Sequence, residues 1–352
     1  MTPNLTRRSF IATTALTAAS LGLPRSAWAA THKPLLLTAT SRPLDIDGRA
    51  ATVWGLINAQ GGSGLTLDPG QRFRVDLTNA LDVDTIIHWH GQIPPNAQDG
   101  VPDIPLPMLK PGETREFDFE PMPGTYWMHS HVPVQEMELL AAPLIVRSAA
   151  DLTADRQEVV LFLHDFSFRP AAEVLAEITG GDGSMAGMDM GAATPAPDAT
   201  TGMDMAGKGM SGMAMDLNDF NFDAYLANDR TLNDPEVVTV ENGGRVRLRV
   251  INAAAATVFW IDTGSVEGRL VAVDGHEVQP LPGRRFGLAM GQRLDIELDL
   301  PNGEGAFPVL ALREGAVERT GIILATAGAT IEKLAGTGET MAAAFDTDLS
   351  QE

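Results

Sequence analysis

The sequence of 352 residues carries 46 acidic and 25 basic side chains, a formal net charge of −21, and no cysteine. The acidic excess disfavours binding to nucleic acid or to anionic membrane surfaces. Without cysteine, these residues form no disulfide and offer no thiolate ligand to a metal. Their number is sufficient for about two domains, each with its own hydrophobic core.

The first 29 residues have the pattern of an export signal. Arg7 and Arg8 form a twin-arginine pair, an apolar stretch follows over residues 11–23, and Ala27 and Ala29 are the small side chains that a signal peptidase reads. A membrane anchor fits less well, because the stretch is short and rich in alanine and threonine. We expect a twin-arginine signal peptide over residues 1–29, a periplasmic mature chain, and no membrane association after signal removal.

Residues 30–148 are predicted to form a first β-sandwich domain. Segments 72–77, 85–90 and 114–119 have the alternation or the β-rich composition of strands. Pro-Gly turns lie between and beside them at residues 69–70, 111–112 and 123–124. Short strands at this spacing favour a sandwich.

Two histidine pairs lie in this first domain. His88 and His90 form one pair and His129 and His131 the other, each with the spacing i, i+2. On a β-strand this spacing points both imidazoles to the same face. Imidazole is a ligand for copper, zinc, iron and nickel, so two such pairs facing each other predict a first-row metal site.

An internal repeat predicts a second domain over residues 155–332. Three segments match in the same order, which indicates a duplication with a polar linker near Ser148–Asp155. The matched segments are 67–80 with 240–253, 112–117 with 291–296, and 124–127 with 305–308. Carrying the offset forward places the four histidines on Ile261, Thr263, Leu310 and Leu312. We therefore expect the second domain to bind no metal.

The second domain contains an insertion at about residues 180–215, preceded by a predicted short helix over 170–178. The insertion holds eight methionines and few large apolar residues, so we expect it to be disordered. Thioethers favour Cu(I), which makes a copper-binding segment one interpretation and a methionine-rich linker the other. Residues 333–352 are predicted to be a polar tail.

Three other histidines need separate interpretations. His164 lies in an apolar segment and is expected to be a buried structural residue, and His276 is expected in a turn. His32 would be the third residue after cleavage, where an amino terminus, two amides and an imidazole suit square-planar Cu(II). An unstructured terminus is the alternative for His32.

Three motifs together resemble the N-terminal domain of the multicopper oxidases, and within them the exported copper-resistance and laccase-like branch of bacteria. They are His88-Trp89-His90-Gly91, Gln-Asp-Gly-Val-Pro at 98–102, and Gly-Thr-Tyr-Trp-Met-His-Ser-His at 124–131. The resemblance implies an all-β chain of two cupredoxin-like Greek-key sandwich domains with copper as cofactor.

The resemblance also implies roles for single residues. His88 matches a ligand of the type 2 copper, and His90, His129 and His131 match ligands of the type 3 pair. Asp99 matches the acid thought to orient copper-bound water and assist proton transfer, which is a sensible task for a carboxylate beside a metal.

The chain departs from the family pattern in one large respect. Members have a third cupredoxin domain whose His-x-x-His-x-His and His-Cys-His motifs complete the trinuclear cluster and form the type 1 site, and neither motif is present here. We expect half of the cluster, no type 1 site, and no turnover by this chain alone. A missing third domain is then the expected partner, in cis or in trans.

The resulting hypothesis is a periplasmic copper-binding protein of this family, whose full-length members oxidise phenols or metal ions and reduce dioxygen to water. One alternative is a non-enzymatic protein that sequesters copper for copper tolerance. Another is a structural cupredoxin relative, against which the retained histidines and Asp99 argue. A zinc hydrolase or a cupin explains neither the second histidine pair nor the duplication.

Overall fold

The computed structural model describes residues 33–179 and 220–345. The predicted export signal, His32 and the methionine-rich insertion lie outside the described residues, as do the last seven residues of the predicted tail. Both sandwiches described below belong to one compact unit that begins at Leu35. No helix of the described segments is long and apolar enough to cross a lipid bilayer.

The first sandwich consists of two four-stranded sheets, with strand orders β2-β1-β4-β6 and β3-β8-β7-β5. Its strands are β1 (Leu35–Ile46), β2 (Arg49–Asn58), β3 (Leu65–Leu67), β4 (Phe73–Asn79), β5 (Ile87–His90), β6 (Thr114–Phe119), β7 (Gly124–Ser130) and β8 (Ala141–Val146). Along β4 every second side chain is buried, as expected where one face of a sheet covers a core. The three strands predicted in this region are therefore confirmed as β4, β5 and β6.

The second sandwich pairs a six-stranded sheet, β10-β9-β12-β17-β14-β15, with a five-stranded sheet, β11-β19-β18-β13-β16. Its strands are β9 (Gln157–Phe166), β10 (Ala224–Ala227), β11 (Val237–Val240), β12 (Arg245–Asn252), β13 (Phe259–Asp262), β14 (Gly268–Val273), β15 (His276–Gly283), β16 (Arg285–Leu288), β17 (Arg293–Asp299), β18 (Ala306–Arg313) and β19 (Arg319–Thr326).

The two sandwiches repeat the same strand pairing. In one sheet of each, a parallel pair adjoins an antiparallel neighbour, β1-β4-β6 in the first and β9-β12-β17 in the second. In the other sheet, β3-β8-β7-β5 corresponds to β11-β19-β18-β13. The duplication inferred from the sequence is therefore also a duplication of topology, and the all-β, two-sandwich Greek-key fold is confirmed.

Three short helices interrupt the strands. They are α1 (Pro133–Met137), α2 (Ala149–Thr153) and α3 (Ala171–Ile178), and α3 is the helix predicted before the insertion. Helix α2 occupies the predicted polar linker. Ser148 and Asp151 form a reciprocal capping box at its N-terminus, which explains why a polar sequence is helical here.

A buried charge network joins the two sandwiches. The Arg249 side chain on β12 is fully buried and donates to Glu158 at 2.9 and 2.5 Å and to Asp295 at 3.1 Å. Arg249 also lies 3.3 Å from the Asp151 carboxylate. Thr125, on β7 of the first sandwich, accepts a hydrogen bond from Arg249 at 3.0 Å and donates one to Asp295 at 2.5 Å. Because the carboxylates surround the guanidinium, its burial leaves little charge uncompensated.

Part of the predicted polar tail packs against the second sandwich. Trp260 donates its Nε1–H to the Ala343 carbonyl at 2.8 Å, and its ring lies 4.5 Å from the ring of Phe345. The Phe345 N–H donates to the Glu314 carboxylate at 2.5 Å. An apolar contact and two hydrogen bonds therefore fix a segment whose sequence shows no strand pattern.

Replacing Arg249 by methionine should lower the free energy of unfolding by about 3–5 kcal/mol, because it removes the fully buried cation of the network. Asp151 and Asp295 then keep only Arg247, whose side chain is partly exposed. Urea unfolding at neutral pH measures this change. The matched control is Arg269→Met on β14, since that side chain is 39% exposed and its ion pairs face solvent; the control should lose no more than about 1 kcal/mol. Equal losses in the two variants would contradict the assigned role of Arg249.

Candidate metal centre

Strand β5 presents both of its histidines on the face opposite the core. Trp89, between them, is fully buried, and its ring lies 4.7 Å from Phe73 and 4.9 Å from Phe117. Since side chains alternate along a strand, the anchored indole directs His88 and His90 away from the core. Burial of Trp89 thus sets the orientation of His88 and His90 on the opposite face of β5.

Strand β7 brings the second pair to the same place. It runs antiparallel to β5, with His88 opposite His129. Ring centroids are separated by 5.7 Å between His88 and His129, 5.5 Å between His88 and His131, and 5.4 Å between His90 and His129. The four histidines predicted as metal ligands therefore form one cluster on the first sandwich.

Hydrogen bonds to backbone carbonyls fix which ring nitrogens are free. Nδ1 of His88 lies 2.8 Å from the Asp99 carbonyl, and Nδ1 of His129 lies 2.9 Å from the Ser130 carbonyl. A carbonyl only accepts, so both Nδ1 atoms carry the proton and both Nε2 atoms present a lone pair. Such outer contacts are typical of imidazoles that bind a metal.

One ring nitrogen from each pair converges. Nε2 of His129 lies 3.2 Å from Nδ1 of His90, and because Nε2 accepts in this tautomer of His129, Nδ1 of His90 donates the hydrogen bond. This spacing suits two neighbouring ligands of one ion, for which metal–nitrogen distances are about 2 Å. Uncharged imidazoles without thiolates or crowded carboxylates form a donor set that fits copper.

No group of three or more His, Asp or Glu side chains within residues 33–179 and 220–345 is arranged to hold a single ion. The ring centroids of neighbouring histidines in the cluster are 5.4–5.9 Å apart.

Burial favours the uncharged form of His88 and His90. It lowers the pKa of His88, and it lowers the pKa of His90 to about 3, with the nearby Arg293 cation as the next contribution. A neutral imidazole is the form that binds a metal. His90 is thus uncharged throughout the neutral and weakly acidic range.

Asp99 lies beside the first pair, as the motif predicts. Its carboxylate Oδ1 is 3.5 Å from Nδ1 of His88, and the side chain is 31% exposed. Gly100 follows with φ of +78°, and a Cβ there would collide with the backbone of Ile87. Glycine is therefore required for this loop to lie against β5 and bring Asp99 to the histidine.

Three residues of the site were not found by sequence reasoning. Trp127 stacks on both His129, at 4.2 Å and 15°, and His90, at 4.9 Å and 29°. Glu136 on α1 places a carboxylate oxygen 3.6 Å from Nδ1 of His129. Arg293 reaches the site from the second sandwich. Trp127 has a sequence signal, since it precedes His129 by two residues on the same strand, whereas Glu136 and Arg293 have none.

The positions predicted to replace the histidines in the second sandwich are wrong by one residue on β13 and by two on β18. In the first sandwich the fully buried Trp89 lies opposite the fully buried Met128. The equivalent pair in the second sandwich is Ile261 opposite Ala311, which are also fully buried. The counterparts of the four histidines are thus Trp260, Asp262, Leu312 and Glu314, not Ile261, Thr263, Leu310 and Leu312. Loops of different length between repeat segments shift a simple offset, and one residue changes the face on which a side chain lies. The second sandwich still has no imidazole at these positions.

The remaining described histidines lie outside this cluster. His164 is 2% exposed on β9, and its Nδ1 donates to the Ala253 carbonyl at 3.1 Å. His276 is exposed at the start of β15. The position of His164 agrees with the structural interpretation. The turn expected at His276 is wrong by one residue, because the turn is formed by Asp274 and Gly275 and His276 already pairs with Val273 as the first residue of β15.

The architecture and site define an all-β chain whose first sandwich carries a cluster of four histidines. The sequence model of the family described as multicopper oxidase matches residues 38–151, and a second model with the same description matches residues 158–329. The chain belongs to the multicopper oxidase family.

Curated relatives agree with this assignment. Copper resistance protein A of Pseudomonas syringae pv. tomato is 28% identical over 86% of this chain and 52% of its own length. Multicopper oxidase MmcO of Mycobacterium tuberculosis is 28% identical over 81% of this chain and 55% of its own length. The chain spans about half the length of the curated relatives it matches.

Solved structures share the fold. The laccase from Botrytis aclada superposes with a TM-score of 0.65 at 23% identity, covering 87% of this chain and 54% of that chain. Fet3p, a multicopper oxidase that functions in iron import, superposes with a TM-score of 0.63 at 16% identity, covering 87% and 55%. At such identities the likeness shows the cupredoxin fold alone.

His164 gives a prediction for the pH dependence of stability. Burial lowers its pKa from the ordinary 6.5 to about 4. Between these values the unfolded chain binds a proton that the folded chain excludes, so stability falls as the pH drops from about 6.5 to 4. His164 alone should contribute a loss of roughly 3 kcal/mol across this window.

Urea unfolding at pH 7, 6 and 5 compares the parent chain with His164→Gln, which retains a donor for the Ala253 carbonyl. The free energy of unfolding should fall less steeply with acidification in the variant. Because His88 and His90 are common to both proteins, the difference isolates His164. Parallel pH profiles would show that His164 is not buried in the neutral form.

Proposed function

We propose that this chain is an exported, periplasmic copper-binding protein in which His88, His90, His129 and His131 hold the metal. The observation that carries the proposal is the convergence of ring nitrogens from two antiparallel strands, with Nε2 of His129 3.2 Å from Nδ1 of His90. Family membership supports copper over other first-row metals. Copper bound there supplies one-electron and dioxygen chemistry.

The chain's own residues have distinct tasks in this proposal. His88 serves the type 2 position, and His90, His129 and His131 serve the type 3 pair. The carbonyls of Asp99 and Ser130 hold the Nδ1 protons of His88 and His129, so that each ring offers Nε2 to the metal. Trp127 restrains the planes of His90 and His129 by stacking.

Asp99 is proposed as the residue that moves a proton at this centre. Its Oδ1 lies 3.5 Å from His88 and the side chain is partly exposed, so the carboxylate reaches both the site and solvent. A carboxylate in this position orients a solvent molecule and accepts its proton. The partial exposure provides the path by which the proton leaves.

We further propose that these residues form half of a trinuclear centre and no type 1 site. Four imidazoles are too few ligands for three copper ions, so additional ligands are required. The sequence also contains no cysteine for a blue-copper site. A third cupredoxin domain, in cis or in trans, is the proposed source of those ligands. Oxidation of phenols or metal ions with reduction of dioxygen is then proposed for the completed assembly.

A second candidate function is copper sequestration without turnover. Its support is the similarity to copper resistance protein A, together with partial exposure of His88 and full exposure of His131. Accessible imidazoles exchange metal readily, which suits storage better than catalysis. The two candidates share the ligands and differ in whether bound copper oxidises a substrate.

Copper stoichiometry tests the ligands common to both candidates. The double variants His88→Ala/His90→Ala and His129→Ala/His131→Ala should each lose most bound copper in equilibrium dialysis against a buffered copper solution. His276→Ala is the matched control, because this histidine is exposed and belongs to the second sandwich. Undiminished copper in both double variants would refute the proposed site.

Spectroscopy and turnover separate the candidates. The copper-loaded chain by itself should show no thiolate-to-copper charge-transfer band, because it supplies no thiolate. It should oxidise a phenolic substrate no faster than an equal concentration of free copper. Oxidation of the phenolic substrate much faster than by free copper would contradict the proposal that this chain holds only part of the copper centre.

A further inference from the structure

The second sandwich reaches the copper ligands through one buried cation. Arg293, the first residue of β17, is 4% exposed. Its guanidinium donates to the carbonyls of Gly291 at 3.0 Å, Thr125 at 3.3 Å and Asp274 at 3.1 Å. Thr125 lies on the ligand strand β7, so the three bonds join that strand to two turns of the second sandwich.

The Gly291 turn touches the site directly. The carbonyl that accepts from Arg293 also accepts the Nε1–H of Trp127 at 3.3 Å. Gly291 has φ of +73°, and a Cβ there would lie 3.3 Å from Cε1 of His90. A bulkier residue would therefore press on the imidazole.

The contact continues from Trp127 to two ligands. Its indole stacks on His129 and on His90, with ring centroids 4.2 and 4.9 Å apart. Gly91, directly after His90, has φ of +89° and no room for a Cβ between the Arg293 guanidinium and the Tyr126 ring. Arg293 thus packs against the backbone directly after His90. It also donates to the Gly291 carbonyl, which accepts from Trp127, the residue stacked on His129.

We propose that Arg293 is a positioning residue for the His90–His129 pair, acting through Gly291 and Trp127, so that the metal-free second sandwich sets the geometry of the copper centre. This inference rests on the copper binding proposed above. A guanidinium suits the task because its planar donors point in fixed directions, whereas a lysine ammonium satisfies the charge without holding three carbonyls in register.

The test compares Arg293→Met and Arg293→Lys with Arg313→Met. Arg313 on β18 is the matched control because it is about as deeply buried as Arg293, but it donates to Asn221 and to the Phe220 carbonyl, within the second sandwich. A general loss of stability should therefore appear in all three variants, and a loss of ligand geometry only at position 293. Gly291→Ala perturbs the same contact from the other side if Arg293→Met does not fold.

Two readouts report geometry rather than stability. In the copper-free protein, the Cε1–H resonances of His90 and His129 carry ring-current shifts from Trp127, and both Arg293 variants should move these resonances toward ordinary values. In the copper-loaded protein, Cu(I) affinity measured against a chromophoric chelator should fall about tenfold or more. The electron paramagnetic resonance spectrum of bound Cu(II) should change as well. Arg313→Met should lower the unfolding midpoint and leave all three readouts unchanged.

The outcomes distinguish this inference from the proposed function. If the parent chain binds copper and the Arg293 and Gly291 variants leave the histidine resonances and affinity unchanged, the inference fails alone. If Arg313→Met shifts them as much as Arg293→Met does, Arg293 is merely structural and the inference is overturned. If the parent chain binds no copper at the histidines, the proposed function fails, and the copper-free resonances still decide whether Arg293 positions the pair.

Discussion

The buried guanidinium of Arg249 is the interaction on which the arrangement of the two sandwiches depends. It lies between carboxylates of the second sandwich and bonds to Thr125, four residues before His129 on the same strand. A charge without solvent requires its partners at fixed distances, so the start of β7 has little freedom. The strand that supplies the second histidine pair is thus held at one end by the neighbouring sandwich.

Further contacts along β7 extend this restraint to the ligands. Arg293 and the Gly291 turn hold Trp127, and Trp127 stacks on His90 and His129. The first sandwich supplies all four imidazoles, yet the planes of two of them depend on groups from the second. The contacts of Arg293 and Gly291 give the second sandwich a physical role as a support for these two side chains.

Much of the site could be predicted from local pattern. The i, i+2 spacing placed each histidine pair on one face, and Trp89 between His88 and His90 ensured that this face is not the core side. Other features could not be predicted in this way. Glu136 and Arg293 lie on chain segments that approach the cluster only in the folded protein, so no local spacing in the sequence predicts them. The counterparts of the histidines were misplaced because the loops of the two copies differ in length.

The sequence by itself determined the all-β class, the duplication, the four imidazoles of the metal centre and its neighbouring Asp99. These follow from short-range rules, namely side-chain alternation along strands, turn residues between them, and the ligand chemistry of histidine. Only the tertiary structure decided which ring nitrogens are free, that the polar segment after Ser148 is a capped helix, that part of the tail packs on Trp260, and that Arg293 lies behind the ligands. Each of these features depends on contacts between residues far apart in the chain. The distances between such residues are fixed only when the two sheets of each sandwich, and the two sandwiches, pack together.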